Sequence, residues 1–156
     1  MKKLCLIGVL IVSALGTLFH FAYDYVPLFI FPLNESIFEH TKLTIFPYLF
    51  YLIFALIFIK EERMRLFSSF FTAIIVSTVF IVVFYYTYSG ILGFGVDWLN
   101  ILSYYVSILI GFIIIYKKMT LASFSNSVIF LIILLILVGV FTYFPANIAF
   151  FKNPIH

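Results

Sequence analysis

Apolar residues run along the chain in long, nearly uninterrupted blocks that short polar segments separate. Crossing a hydrocarbon core of about 30 Å takes about 20 helical residues. Five blocks approach or exceed that length, over about residues 4–23, 43–59, 66–88, 99–116 and 123–144. The pattern predicts an all-α integral membrane bundle of five transmembrane helices, with residues 1–156 as a single transmembrane domain.

The composition agrees with this pattern and excludes an ordinary soluble domain. Hydrophobic residues make up 65% of the chain and charged residues 10%, whereas soluble domains have about 45–50% and about 25%. The lipid bilayer is therefore an expected partner. The basic residues form short clusters and no continuous stripe, so a nucleic-acid partner is not expected. Cys5 is the only cysteine, which excludes an intrachain disulfide and the zinc sites that need two or more cysteines.

The short clusters of basic residues predict the orientation of the helices. If the five helices alternate in direction, seven of the nine basic residues lie on one side: Lys2, Lys3, Lys60, Arg63, Arg65, Lys117 and Lys118. Because cytoplasmic loops carry an excess of Lys and Arg, we expect the N-terminus in the cytoplasm and the C-terminus outside. The abundance of Phe, Ile and Lys suits an AT-rich bacterial genome, so the expected location is the bacterial cytoplasmic (cell) membrane.

The first apolar block has an alternative interpretation as a secretory signal peptide, since Lys2 and Lys3 precede it and the small residues "SALG" occur within it. However, the block continues to Tyr23, which is long for the apolar part of a signal peptide. We therefore expect it to be kept as a membrane-spanning helix.

Polar and ionisable residues gather on the other, outer side. His20 and Asp24 are four residues apart at the end of the first helix, which places them on one helix face. The segment "FPLNESIFEHTKL", residues 31–43, then leads into the second helix. The predicted outward-facing polar cluster consists of His20, Asp24, Asn34, Glu35, Ser36, Glu39, His40 and Asp97.

Helix capping explains part of this cluster without a functional site. Ser36 and Glu39 have the S-x-x-E spacing of a capping box, and Asn34 is an alternative cap. Carboxylates near a helix N-terminus are also favoured by the helix dipole. Glu39 and Lys42, three residues apart, would form an ion pair. Asp97 either caps the fourth helix or lies over the cluster.

The connection between the first two helices favours a shared site instead. It is short, and its last part, "YVPLFIFPL" over residues 25–33, is apolar. An apolar segment outside the membrane is expected to return to the bilayer edge and pack against protein, where it would cover the polar cluster. Pro47 should bend the second helix close to the same place.

Two classes of function remain open for this cluster. The first is small-molecule or ion binding, by a transport-accessory protein or a subunit of a membrane complex, with a second copy of the chain or other membrane proteins as partners. The second is a metal-dependent membrane hydrolase or transferase that acts on a lipid-type substrate at the outer leaflet. In that enzyme a divalent transition metal such as zinc would be held by His20, Asp24 and His40. Glu39 and His40 would be its catalytic residues.

The polar motif also resembles a known family. His20-x-x-x-Asp24, followed by Asn34-Glu35-Ser36-x-x-Glu39-His40-x-Lys42 and a proline five residues later, is similar to a family of small bacterial multi-pass membrane proteins catalogued only as a domain of unknown function. The similarity extends to "YTYSGILG", Asp97 and "FPANIAFF", although this chain has Ala146 and Ala149 where the family is richer in Pro. The resemblance implies a shared fold and no particular activity.

Overall fold

The computed structural model describes residues 2–22, 28–119 and 126–153, and these parts of the chain form helices without any β-strand. The elements are α1 (Lys2–Ala22), α2 (Ile37–Phe58), α3 (Arg63–Leu92), α4 (Asp97–Lys118), α5 (Ser127–Tyr143) and the 3-10 helix η1 (Ala149–Phe151). Helices α1 to α4 are each long and apolar enough to cross a membrane. Helix α5 is also apolar but has only 17 residues. The all-helical prediction is therefore confirmed for the described residues.

Local sequence signals explain where the helices begin and end. Helix α2 begins at Ile37, ahead of the apolar block, because Ser36 is its N-cap. The polar residues that follow Ser36 therefore belong to the first turns of the helix. Helix α3 ends at Leu92, and its C-cap is Gly93, whose φ of 82° lies in the left-handed region that glycine adopts without a steric penalty. Asp97 lies in the first turn of α4 and Lys118 in its last turn, where each charge is favourable to the helix dipole.

Helices α1 to α4 form a closed bundle. Helix α1 packs on α2 and α4, and α3 packs on the same two helices. Neighbouring helices are antiparallel. The Tyr51 hydroxyl of α2 donates to the Leu4 carbonyl at the start of α1, and Arg65 of α3 donates to the Met119 carbonyl just after α4. Helix α5 is added outside, against α3. We call the end of the bundle with the start of α1, the α2–α3 connection and the end of α4 the basic end, and the opposite end the histidine end.

Tyrosine hydroxyls connect the helices inside the bundle. Each of three tyrosines donates to a main-chain carbonyl of a neighbouring helix: Tyr48 to Ile108 (3.0 Å), Tyr51 to Leu4 (2.6 Å) and Tyr104 to Val12 (3.0 Å). A carbonyl oxygen has two lone pairs, so it accepts this bond without losing its own helical bond. In a membrane, where apolar burial does little to hold helices together, such bonds contribute about 0.6 kcal/mol each on average.

Gly16 allows α1, α2 and α4 to approach closely at one point. A Cβ atom at this position would lie 1.8 Å from the Tyr104 hydroxyl oxygen and 2.7 Å from the Leu43 carbonyl oxygen. The Leu43 carbonyl is special because Pro47, four residues later in α2, has no N–H to donate to it. The contact lies one helical turn from His20 and one turn from His40, so it brings the two histidine-bearing helix ends together.

We predict that Gly16→Ala destabilises the protein by about 1–3 kcal/mol, the usual cost of overpacking. The added methyl group would meet a backbone carbonyl that cannot rotate away. Gly90→Ala is the matched control, because a Cβ there has no other atom within 4 Å. Thermal unfolding in detergent should show a lower midpoint for Gly16→Ala and an unchanged or slightly higher one for Gly90→Ala. Equal midpoints for both variants would contradict the close approach.

Candidate functional site

The polar segment before α2 folds around the N-terminus of that helix. The Ser36 Oγ accepts a hydrogen bond from the Glu39 main-chain N–H at 3.3 Å, which is one half of the predicted capping box. The other half differs from the prediction. The Ser36 N–H donates to the Asn34 side-chain oxygen at 2.8 Å, so Asn34 takes the place expected for Glu39. The Glu39 carboxylate is left to accept from the Leu33 N–H, at 2.7 Å.

His20 and His40 meet at the histidine end of α1 and α2. Their ring centroids are 5.5 Å apart and the ring planes are tilted by 45°. The two residues belong to different helices, and the antiparallel packing of α1 on α2 places the last turn of one beside the first turn of the other. Both side chains are partly exposed, so a solute could reach them from the histidine end.

Hydrogen bonding determines which nitrogen of His40 faces the outside. Its Nδ1 lies 3.0 Å from the Ser36 carbonyl oxygen. Because a carbonyl only accepts, Nδ1 carries the proton and donates. Nε2 lies 3.4 Å from the Glu35 carboxylate, to which it donates when the ring is protonated; in the neutral ring its lone pair faces that carboxylate, and a cation between the two groups would be bound by both. A histidine whose Nδ1–H donates to a main-chain carbonyl while Nε2 faces outward has the arrangement common to metal-binding histidines.

Glu39 and Lys42 form a buried ion pair on another face of α2. The Lys42 Nζ is 2.6 Å from the Glu39 Oε2, and their side chains are 0% and 3% exposed. The ammonium group also donates to the Phe31 carbonyl at 3.4 Å and lies 5.6 Å from the centre of the Phe29 ring. Adjacent helix residues point about 100° apart, which explains why Glu39 turns away from His40 and its site.

The segment over residues 28–33, which we call the covering loop, lies over this ion pair. The Phe29 ring packs edge-on against Phe46 of α2 at 5.2 Å, and the Phe31 ring packs against Phe19 of α1 at 4.8 Å. Phe38, in the first turn of α2, is covered by Phe151 of η1, at 4.8 Å. The described part of the predicted covering segment, residues 28–33, therefore packs against the helices. It lies over Glu39 and Lys42.

Two of the predicted site residues, Asp24 and Asp97, are not among the contacts given above. Asp24 lies outside the described residues, so its predicted role beside His20 stays a prediction. Asp97 is exposed and belongs to the first turn of α4, whose N-cap is Val96. None of the ion pairs of the described residues involves Asp97. Within the described ranges, no three His, Cys, Asp or Glu side chains lie close enough together to hold a metal ion.

Sequence reasoning did not anticipate the role of the covering loop's main chain. The Phe31 carbonyl and the Leu33 N–H bind the Glu39–Lys42 pair, and neither group has a signature in the sequence. A usable signal was the lysine itself. Lys42 directly precedes a long apolar block, where a charge needs a nearby partner.

These features define a class of protein: a multi-pass helical membrane protein with a pair of histidines and a buried ion pair at one end of its bundle. The chain belongs to the family of unknown function DUF6512, whose family model matches residues 1–156. This confirms the predicted membership of a family without an assigned function. No curated protein and no solved structure matches the chain.

We predict that Ser36→Ala lowers the free energy of unfolding by about 1 kcal/mol, the usual cost of losing an N-cap. Ser36→Asp should retain most of the stability, because Asp is an equally good N-cap residue. Unfolding in mixed micelles with increasing denaturing detergent would measure both variants. If Asp and Ala destabilise α2 equally, the Ser36 side chain is not acting as the cap.

Proposed function

We propose that the protein binds a small cation at the histidine end, as an ion-binding or transport-accessory protein or as a subunit of a membrane complex. The observation that carries the proposal is the contact between the His20 and His40 rings, 5.5 Å apart at their centroids. Two imidazoles from different helices meet where both are accessible. Ionisable side chains within membrane-spanning helices are a recognised mark of functional sites.

The chemistry of these groups favours a divalent transition metal ion. Neutral imidazole nitrogens and carboxylate oxygens are the ligands that zinc and its neighbours prefer. His40 presents its Nε2 beside Glu35, whose side chain is 45% exposed. The described residues place the Glu35 carboxylate beside His40 but hold no three ligand side chains close enough together for a metal ion, so the site needs a further ligand. We propose Asp24 for that role, because it is four residues from His20 in the sequence, a spacing that puts two side chains on one face wherever a helix continues.

The environment of Glu39 makes the enzyme hypothesis the second candidate. A metal-dependent hydrolase or transferase would need a general base beside the metal-bound water. The Glu39 carboxylate is bound to the Lys42 ammonium and to the Leu33 N–H. It is also almost fully buried, on a face of α2 turned away from His40. Protonation of Glu39 would remove the charge that pairs with the buried Lys42 ammonium, which makes it a poor general base.

We expect the purified protein to bind one zinc ion per chain, measured by titration calorimetry and by metal analysis after gel filtration. His20→Gln and His40→Gln should each weaken binding by about 10–100-fold or more. Asp24→Asn should do the same if this carboxylate completes the site. Lowering the pH from about 7.5 to about 5.5 should also weaken binding, since protons compete for the imidazole nitrogens.

The third histidine of the chain provides a matched control for this experiment. His156→Gln should leave zinc binding unchanged. Proposed binding at the histidine end is refuted if the wild-type protein holds no zinc, manganese or iron. It is also refuted if all three His→Gln variants bind the metal equally.

We also propose that α5 crosses the bilayer, which gives five spans with the basic end in the cytoplasm of a bacterial cell. Helix α5 is about 25 Å long at 1.5 Å per residue, a little shorter than the hydrocarbon core of about 30 Å. It runs parallel to α3, since Phe130 near its start stacks on Phe71 near the start of α3, while Phe141 near its end packs against Phe38 at the histidine end. The clustering of Lys and Arg at one end supports the orientation.

Cysteine labelling of intact cells tests this topology. In a Cys5→Ala background, we expect a membrane-impermeant maleimide to label Phe94→Cys and Asn147→Cys, because both lie at the histidine end. Glu61→Cys, in the exposed α2–α3 connection, should react only after the cells are opened. Protection of Asn147→Cys together with Glu61→Cys would mean that α5 does not cross the membrane.

A further inference from the structure

We propose that Glu39 and Lys42 are positioning residues, which hold the covering loop against α2 and thereby keep His20 beside His40. This inference deepens the proposed function, since it concerns the two imidazoles that would bind the cation. It depends, however, on contacts that exist without any ligand. It can therefore be tested separately from ligand binding.

The first step is the attachment of the covering loop to the ion pair. One carboxylate oxygen, the Glu39 Oε2, accepts from the Lys42 Nζ at 2.6 Å and from the Leu33 N–H at 2.7 Å. The same ammonium group donates to the Phe31 carbonyl at 3.4 Å. Two main-chain groups of the loop, a donor and an acceptor, are thus bound by two side chains of opposite charge.

The second step is the high free-energy cost of leaving this arrangement. Lys42 lies about 120° around the axis of α2 from Tyr48, which faces the interior of the bundle. Without the covering loop, Lys42 would lose the Phe31 carbonyl and the Phe29 ring, and Glu39 would lose the Leu33 N–H. A buried charged pair is stabilised only when its members are paired and hydrogen-bonded. The pair therefore strongly favours the state in which the loop is in place.

The third step leads from the covering loop to the histidines. The Phe31 ring packs edge-on against Phe19 at 4.8 Å between centroids, and Phe19 directly precedes His20 in α1. On the other side, the loop continues into Asn34 and Ser36, and the Ser36 carbonyl fixes the ring of His40. The loop therefore contacts both histidine-bearing helix ends. Its attachment to Glu39 and Lys42 therefore helps to keep these two helix ends together.

The chain contains a matched pair without this role. Glu62 and Arg65 are also three residues apart and their charged atoms are 2.9 Å apart, but the pair is exposed, with side chains 46% and 39% accessible. It lies at the basic end, far from the histidines. Removing both charges there likewise leaves the net charge unchanged and removes an ion pair between residues three apart, while the covering loop stays attached; the bond from Arg65 to the Met119 carbonyl is lost as well.

Two measurements test the proposal without a ligand. The first is hydrogen exchange of the Leu33 amide and its neighbours. The second is the rate of disulfide formation, with copper-phenanthroline as oxidant, in a Cys5→Ala background carrying His20→Cys and His40→Cys. That rate reports how often the two positions meet. The test variant is Glu39→Met with Lys42→Met, which removes both charges and keeps the side-chain volume. The control is Glu62→Met with Arg65→Met.

We expect the test variant to exchange at Leu33 about tenfold faster or more, which corresponds to the loss of a hydrogen bond to a charged acceptor. Disulfide formation should slow by a similar factor, and the control should match the parent in both measurements. Glu39→Gln with Lys42→Met keeps an acceptor for the Leu33 N–H, so part of the protection should return. Exchange at the basic end of α2 should not change in any variant.

Other outcomes overturn the proposal. If exchange rises while the disulfide rate stays the same, the pair holds the loop but does not position the histidines. If neither changes, the pair does not hold the loop. Should the doubly substituted protein fail to fold, Phe31→Ala provides the test, because it keeps both charges and removes the contact with Phe19. It should slow disulfide formation and leave the Leu33 amide protected, and a parental disulfide rate would reject the positioning role.

If disulfide formation responds as expected and the wild-type protein binds no metal, the proposed function is rejected. The positioning role of Glu39 and Lys42 would then still hold. If metal binds at His20 and His40 but the disulfide rate is insensitive to the pair, the proposed function stands and the positioning role is rejected.

Discussion

The contact between Gly16 and the Leu43 carbonyl determines how close α1 and α2 come. Inside a bilayer, apolar burial gives helices little reason to associate, so shape and main-chain polar groups decide their packing. Pro47 leaves the Leu43 carbonyl without its usual donor, and the missing side chain of Gly16 lets α1 approach that carbonyl. His20 and His40 each lie one helical turn beyond this contact, so their meeting depends on it.

The same end contains both half-exposed and fully buried ionisable groups, and their faces on α2 separate them. His40 faces α1 and the outside, with Glu35 as its neighbour. Glu39 and Lys42 face the covering loop, which supplies the main-chain groups that they need. A polar segment of a few residues thus serves two purposes. One face offers nitrogen and oxygen ligands, and the other attaches the chain that connects α1 to α2.

Much of this arrangement could be predicted from the sequence. The lengths of the apolar blocks predicted the helices, and the S-x-x-E spacing predicted that Ser36 starts α2. The short connection after His20 suggested that it would meet His40. The partner of Glu39 was harder, because its spacing suited both Lys42 and the histidines. Contacts of the main chain, such as the Leu33 N–H with Glu39, depend on the tertiary fold and have no signature in the sequence.

The packing partners inside the bundle were also beyond prediction. Apolar residues surround α2 on nearly every side, so no periodic stripe shows which face is central. The tyrosine bonds to carbonyls of neighbouring helices depend on the relative depth of two helices, which hydropathy does not report. Similarly, the position of α5 against α3 could not be deduced, because lipid-facing and helix-facing apolar residues look alike.

Pro47 has a mechanical consequence for α2. A helix that lacks one of its main-chain bonds bends most easily at that place. The inner part of α2 is anchored just after the proline by the hydroxyls of Tyr48 and Tyr51. Residues 37–46, which carry His40 and the ion pair, would therefore tilt together as a rigid segment, with a hinge at residue 47, while the inner half of the helix keeps its position.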